Sequence, residues 1–199
     1  MLWAGDQIAA WDKTFGYPSA ITSGISSGLS GYANWTPDIL SDSPDIELWK
    51  RWVQFAAFTP IMRDHLWENE PTSVDIWFNE KTPKYFRRYA DIHMQLVPYI
   101  QKHLAAYRSN GVPLVRHMML EFPDEPETYD CEYQYMFGPK YLIAPVVEKG
   151  AKRKKVYFPK GQWRSFWDAG STIKSTGQWI TVNAPLDVIP VYERIAVDR

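Results

Sequence analysis

The chain has 199 residues, 45% hydrophobic and 23% charged, with a formal net charge of -1. This near-neutrality gives no electrostatic case for a nucleic-acid or anionic-membrane partner, and no apolar run reaches transmembrane length. One cysteine, Cys131, excludes an internal disulfide and favours a reducing, cytoplasmic setting, and Met1 opens no signal peptide.

Aromatic residues make up 16% of the chain, ten of them Trp, and such flat amphipathic rings either fill a core or suit sugar rings. Residues 1–4 form an apolar run of strand length that stops at Gly5. Asp6 then stands at the strand's C-terminal end, with Trp3 and Trp11 on either side in sequence. Catalytic groups of parallel α/β barrels occupy this position. A carboxyl beside indoles is expected to be partly desolvated, with a raised pKa that suits proton transfer. The alternative is that Asp6 merely caps the next helix.

Residues 17–31 read as a helix with a small-residue stripe, Ala20, Gly24, Ser27, Gly28 and Gly31, that lets it lie close to a sheet. Gly24-Ile25-Ser26-Ser27-Gly28 matches a serine-hydrolase elbow, but the strand that elbow needs does not precede it. Residues 31–35 are a second strand, and Asp38 repeats the placement of Asp6. The sequon at Asn34 is treated as chance, since a buried strand could not use it. Residues 45–58 are a helix with Ile46, Trp49, Val53, Ala56 and Ala57 on one face. Residues 60–65 are a third strand bearing Arg63 and His65 at its end. An aromatic loop over 66–81 follows.

Thr82 as N-cap and Pro83 start a long helix to about Ser109, kinked at Pro98 and stopped by Asn110-Gly111. His93 and His103 read as surface positions on it. Together with His65 and His117 they are too scattered for a metal site, and no metal or cofactor is implied. Beyond Gly111 come an acidic Pro-rich turn at 121–126, a short helix over 127–137, and strands at 141–147, 155–158, 163–166, 179–182 and 188–192. Their spacing and turns argue for an antiparallel sandwich. The basic run Lys152-Arg153-Lys154-Lys155 reads as a solvated hairpin. The pattern is β-α-β-α-β-α followed by an all-β unit, with polar strand ends and many aromatics, which favours a carbohydrate-active enzyme.

Several segments appear in an order that resembles glycoside hydrolase family 31, the α-glucosidase and α-xylosidase family. They are Trp3-Ala4-Gly5-Asp6-Gln7, Ser27-Gly28-Leu29-Ser30-Gly31, Asp38-Ile39, Arg51-Trp52-Val53-Gln54-Phe55 and Phe58-Thr59-Pro60-Ile61-Met62-Arg63-Asp64-His65. Tyr133 to Gly138, Leu142 to Val146 and Tyr157 to Trp163 carry the likeness onward. The Trp-Ala-Gly-Asp-Gln form is similar to that of bacterial sulfoquinovosidases.

The resemblance implies an α/β fold: strands six to eight of a (β/α)8 TIM barrel over residues 1–110. A linker helix and small antiparallel β-sandwich over 111–199 would follow. It implies a retaining α-glycosidase with Asp6 as general acid/base. Asp38, Arg63 and His65 would bind the sugar whose bond is cut, and Trp3 would wall its pocket. The partners implied are an α-linked glycoside or oligosaccharide and the N-terminal part of the barrel. The family's nucleophilic aspartate belongs to the fourth strand, so the residues in hand are expected to be inactive alone. The family's Gly-Gly-aromatic after Asp-Ile is replaced here by Leu40-Ser41-Asp42, and the sulfoquinovosidase tyrosine near that turn has no counterpart. An α-glucosidase-like activity is therefore expected before a sulfosugar or xyloside one. A non-catalytic sugar-binding or structural remnant is the alternative of a different class.

Overall fold

A computed structural model describes residues 2–65 and 73–195. The first half contains β1 (Leu2–Trp3), α1 (Tyr17–Leu29), β2 (Trp35–Thr36), β3 (Asp38–Leu40), α2 (Ile46–Ala56), β4 (Arg63–His65) and α3 (Thr82–Asn110). β1 pairs parallel with β2, and β3 pairs parallel with β4. β2 and β3 are one extended stretch divided at Pro37, which has no N–H to give a ladder. The strands therefore point the same way, and their carboxyl ends lie at one end of the sheet.

The strands are shorter than the sequence suggests. Met1 of the expected 1–4 strand lies outside the described residues, as does 66–72 of the expected loop. Residues 31–34 precede β2, and Asn34 is exposed there, so burial is not what sets its sequon aside.

α1 follows the small-residue reading closely. A Cβ at Gly24 would meet the Trp35 ring at 2.8 Å, and one at Gly28 would meet the Val115 carbonyl at 2.5 Å. Both glycines are therefore contact points where the helix lies against the sheets, and the serine between them, Ser26, is exposed on the helix surface. The elbow motif is a packing device. α2 begins at Asp45, whose carboxylate accepts the N–H groups of Glu47 and Leu48 at 3.1 and 3.2 Å.

α3 corrects two expectations. Thr82 is its first residue, not its N-cap; Asn79 Oδ1 takes the N–H groups of Lys81 and Thr82 instead. The helix includes Pro98 and ends on Gly111 at φ 70°, the left-handed stop that glycine permits. His93 and His103 are half-buried: His93 Nδ1 lies 3.1 Å from the Ala57 carbonyl, and the His103 ring packs on Tyr99 at 4.4 Å.

The second half holds β5 (Val115–His117), α4 (Met118–Glu121), a 3-10 turn (Pro126–Asp130), β6 (Tyr135–Phe137), β7 (Tyr141–Ile143), β8 (Arg153–Phe158), β9 (Gly161–Ser165), β10 (Thr172–Ser175), β11 (Gln178–Asn183) and β12 (Val191–Ile195). Six strands form one antiparallel sheet in the order β10-β9-β12-β7-β6-β5, and β11 pairs with β8 in another. The expected helix over 127–137 is only a 3-10 turn, after which Tyr135–Phe137 is a strand between β5 and β7. Its apolar residues are buried on both faces, so they show no period-2 alternation to separate strand from helix.

Two cores result. One joins α1, α2 and α3 to β5, β6, β7 and Val191; the other lies between the two antiparallel sheets around Met136, Val156, Phe158 and Trp163. Arg51 ties the halves together. Its guanidinium is buried and donates to the carbonyls of Ala151, Ala184, Pro185 and Val188. Gln54, Tyr85 and Tyr89 hold the same 184–188 loop by bonds to Leu186 and Asp187. No described helix is long and apolar enough to cross a membrane.

Candidate active site

β1 continues its pairing as far as Ala4, whose N–H reaches the Thr36 carbonyl at 3.1 Å. The chain then turns at Gly5 with φ 89°, a conformation glycine adopts without strain. Gln7 Nε2 bonds back to the Ala4 carbonyl at 2.8 Å and closes the turn. Asp6 projects from it and is exposed.

That exposure corrects the expected desolvation. Trp3 donates its indole N–H to Asp38, and Trp11 donates to Asp45 while packing edgewise on Tyr17. Neither indole makes a bond to the Asp6 carboxyl. The capping alternative also fails: α1 starts at Tyr17 behind Gly16, with no side-chain cap. In the intervening loop Asp12 accepts the N–H groups of Thr14 and Phe15.

Asp38 does not stand past a strand as expected but opens β3, where it is buried, 2% exposed. One carboxylate oxygen takes the Trp3 Nε1–H at 2.7 Å, and the other meets Arg63 Nε at 3.1 Å. Register explains this: Asp38 faces Arg63 across β3 and β4, while Trp3 lies beside Thr36, two residues before Asp38. The Arg63 guanidinium sits 6.0 Å from the Trp3 ring, and its side chain is 43% exposed. Trp3, Asp38 and Arg63 therefore form one cluster whose carboxylate is covered and whose indole and guanidinium are accessible. A carboxylate can accept about four hydrogen bonds, so Asp38 keeps acceptor capacity beyond these two.

His65 pairs with Leu40 at the last position of β3 and β4, two residues beyond the Asp38–Arg63 pair that opens them, and its carbonyl accepts the Ser41 hydroxyl at 2.6 Å. Ser41 belongs to the segment that departs from the family pattern, and here it anchors the end of β4.

Sequence reasoning missed Asp64. It sits opposite Ile39, on the strand face turned away from Arg63 and His65. Both carboxylate oxygens are buried without a hydrogen-bond partner among the described residues. Burial, with added repulsion from Asp75 and Asp38, pushes its pKa up to about 7. The signal was present, because in Arg63-Asp64-His65 a strand must send the middle residue to the opposite face.

Short parallel strands thus bring together a carboxylate–indole–guanidinium cluster where β1 ends and β3 and β4 begin, with a carboxyl just past β1 and an imidazole closing β4, and an antiparallel unit follows. Profiles of "Glycosyl hydrolases family 31 TIM-barrel domain" and "Glycosyl hydrolase family 31 C-terminal domain" match residues 1–103 and 111–195. The chain belongs to glycosyl hydrolase family 31.

It is 32% identical to the sulfoquinovosidase of Escherichia coli K12 over 98% of this chain and 29% of that protein. It is 32% identical to the isomaltosyltransferase of Sporosarcina globispora over 96% of this chain and 18% of that protein. Among solved structures, the Flavobacterium johnsoniae dextranase complexed with glucose superposes with a TM-score of 0.86 at 33% identity, covering 96% of this chain and 25% of that one. The chain thus spans under a third of the curated relatives it matches.

Proposed function

We propose that these residues form the closing part of a retaining α-glycosidase active site, acting on α-glucoside-like substrates. Asp6 is the general acid/base that protonates the leaving oxygen and then activates water. Trp3 walls the sugar, while Asp38, Arg63 and His65 hold its hydroxyls. The nucleophile is a second carboxylate, held about 5 Å from the acid and contributed from outside these residues. The observation that carries this reading is the Trp3–Asp38–Arg63 cluster, built across strands whose carboxyl ends bear Asp6 and His65. In the assembled enzyme the rest of the barrel would cover Asp6 and supply the desolvation absent here.

A sulfosugar substrate is the second reading, favoured by two sulfoquinovosidases among the relatives at 31–32% identity. Parallel assays on α-glucosides, α-xylosides and sulfoquinovosides separate these substrates.

Asp6→Ala in the assembled enzyme tests the mechanism. General acid catalysis is typically worth about 10²- to 10⁴-fold, and that loss is expected on a natural disaccharide. A glycosyl fluoride needs no proton to leave, so its glycosylation step is nearly spared. Azide, which needs no base, then restores turnover and gives a glycosyl azide of retained configuration. Equal losses on both substrates with no azide rescue would remove Asp6 from the mechanism.

A further inference from the structure

The basic run 152–155 is not a set of equivalent solvated cations. Lys152, Arg153 and Lys155 are exposed, but Lys154 is drawn in, with Nζ 5.6 Å from the Tyr133 ring centroid. Burial pushes its pKa down, although Glu148 and Glu132 oppose that. Its backbone belongs to the β8–β11 ladder, but among the described residues the Lys154 ammonium makes no ion pair and no hydrogen bond. It stands between two adjoining surface cavities of about 170 Å³ each, both also lined by Lys155. Glu148 borders one; Glu132, Tyr133 and Trp179 border the other. None of the strand-end residues lines either cavity.

An ammonium taken from water without an acceptor is a costly arrangement that a bound hydroxyl would relieve. Acceptors for hydroxyl protons stand beside it in Glu132 and Glu148. Trp179 is 38% exposed, and Lys155, whose Nζ sits 5.1 Å from the ring centroid, is a flexible side chain that can lift away. Across the two cavities Arg153, Lys154 and Lys155 are matched by Asp130, Glu132 and Glu148, so the lining selects no net charge in a ligand. Adjacent donors, acceptors and an aromatic face suit a neutral polyhydroxylated ligand.

We propose that this groove on the antiparallel half is a second saccharide-binding site, taking a neutral oligosaccharide with Trp179 as ring face, Lys154 as donor, and Glu132 and Glu148 as acceptors. Its ligand class rests on the glycosidase reading, but its geometry is independent of the strand-end residues.

The test is the Trp179 indole N–H resonance of the full chain, assigned by its loss in Trp179→Phe and followed during titration with maltotriose. A saturable shift is expected. Lys154→Met and Glu132→Gln should each weaken binding about tenfold, the effect of one lost contact, while the other indole resonances stay in place. No shift at saturating sugar, or a response to inorganic sulfate alone, would overturn the site. Aryl α-glucoside turnover by the assembled enzyme separates this site from the catalytic one. Trp179→Ala should leave turnover unchanged, and a loss comparable to that of Asp6→Ala would instead assign the groove to the active site.

Discussion

Asp38 and Asp64 lie on adjacent strands, and opposite surroundings give them opposite consequences. Asp38 is buried against an indole donor and a guanidinium. Asp38→Asn keeps the shape but removes the charge that orients Arg63. We expect kcat/KM of the assembled enzyme to fall at least tenfold, with the thermal midpoint little changed; steady-state kinetics beside a thermal melt check this. Asp64 has no compensating partner among the described residues, and its pKa in the fold, about 7, stands above that of the unfolded chain. The folded state therefore binds the proton more tightly, and its stabilising contribution is complete below about pH 4. That contribution is lost as pH rises toward 7, because the slope of unfolding free energy with pH is negative wherever the native state holds more protons. Melts of the chain from pH 4.5 to 7.5 should show this decline, and Asp64→Asn should flatten it. An unchanged slope in the variant would place the titrating group elsewhere.

At the scale of elements, close approach decides what the strands and helices can do. α3 reaches the β6–β7 turn through Tyr99, whose hydroxyl donates to the Phe137 carbonyl at 2.9 Å and accepts the Lys140 N–H at 3.3 Å. Gly138 lies beneath that hydroxyl at φ 58°, and a Cβ there would meet it at 2.1 Å. Gly138→Ala is disfavoured by both backbone and contact and should cost more than about 1 kcal/mol. Tyr99→Phe loses only hydrogen bonds and should cost about 1 kcal/mol. Urea denaturation of the two variants gives the ranking. Arg51 serves the same end on α2: with its guanidinium buried under backbone carbonyls, Arg51→Met should leave those acceptors unpaired. We expect a loss of about 3 kcal/mol in the same denaturation experiment.

For the whole molecule, shared packing and open edges act together. The first core crosses from the barrel helices into the six-stranded sheet, so the two halves should unfold in one transition, not separately. Among the described residues β1 pairs with no strand but β2, which leaves an open edge on its outer side. Such edges recruit other strands. A polypeptide of these 199 residues should therefore self-associate, as light scattering at rising concentration would show. It should also fail to turn over aryl α-glucosides, since one carboxylate cannot both protonate the leaving oxygen and attack the anomeric carbon. Sustained turnover abolished by Asp6→Asn would contradict that expectation.

The alternation of strand and helix through residue 110 and the stripe of Gly24 and Gly28 are legible in the residues alone. The N-terminal start of α2 at Asp45 and the stop at Gly111 are legible too. These are local matters, governed by periodicity, side-chain size and caps, which neighbouring residues specify. The sequence also places Asp6, Asp38, Arg63 and His65 just past apolar runs, because strand ends are marked where apolar residues give way to polar ones. Which of them meet depends on how the strands pair. Trp3 and Asp38 are 35 residues apart, and their 2.7 Å bond depends on strand register. Asp64 became visible once the sheet had fixed which way each side chain of 63–65 points. The strand at Tyr135–Phe137 needed its neighbours β5 and β7, since a segment buried on both faces shows no alternation to read. Lys154 separated from three basic neighbours only when the fold set it against Tyr133, because desolvation depends on contacts formed between distant parts of the chain.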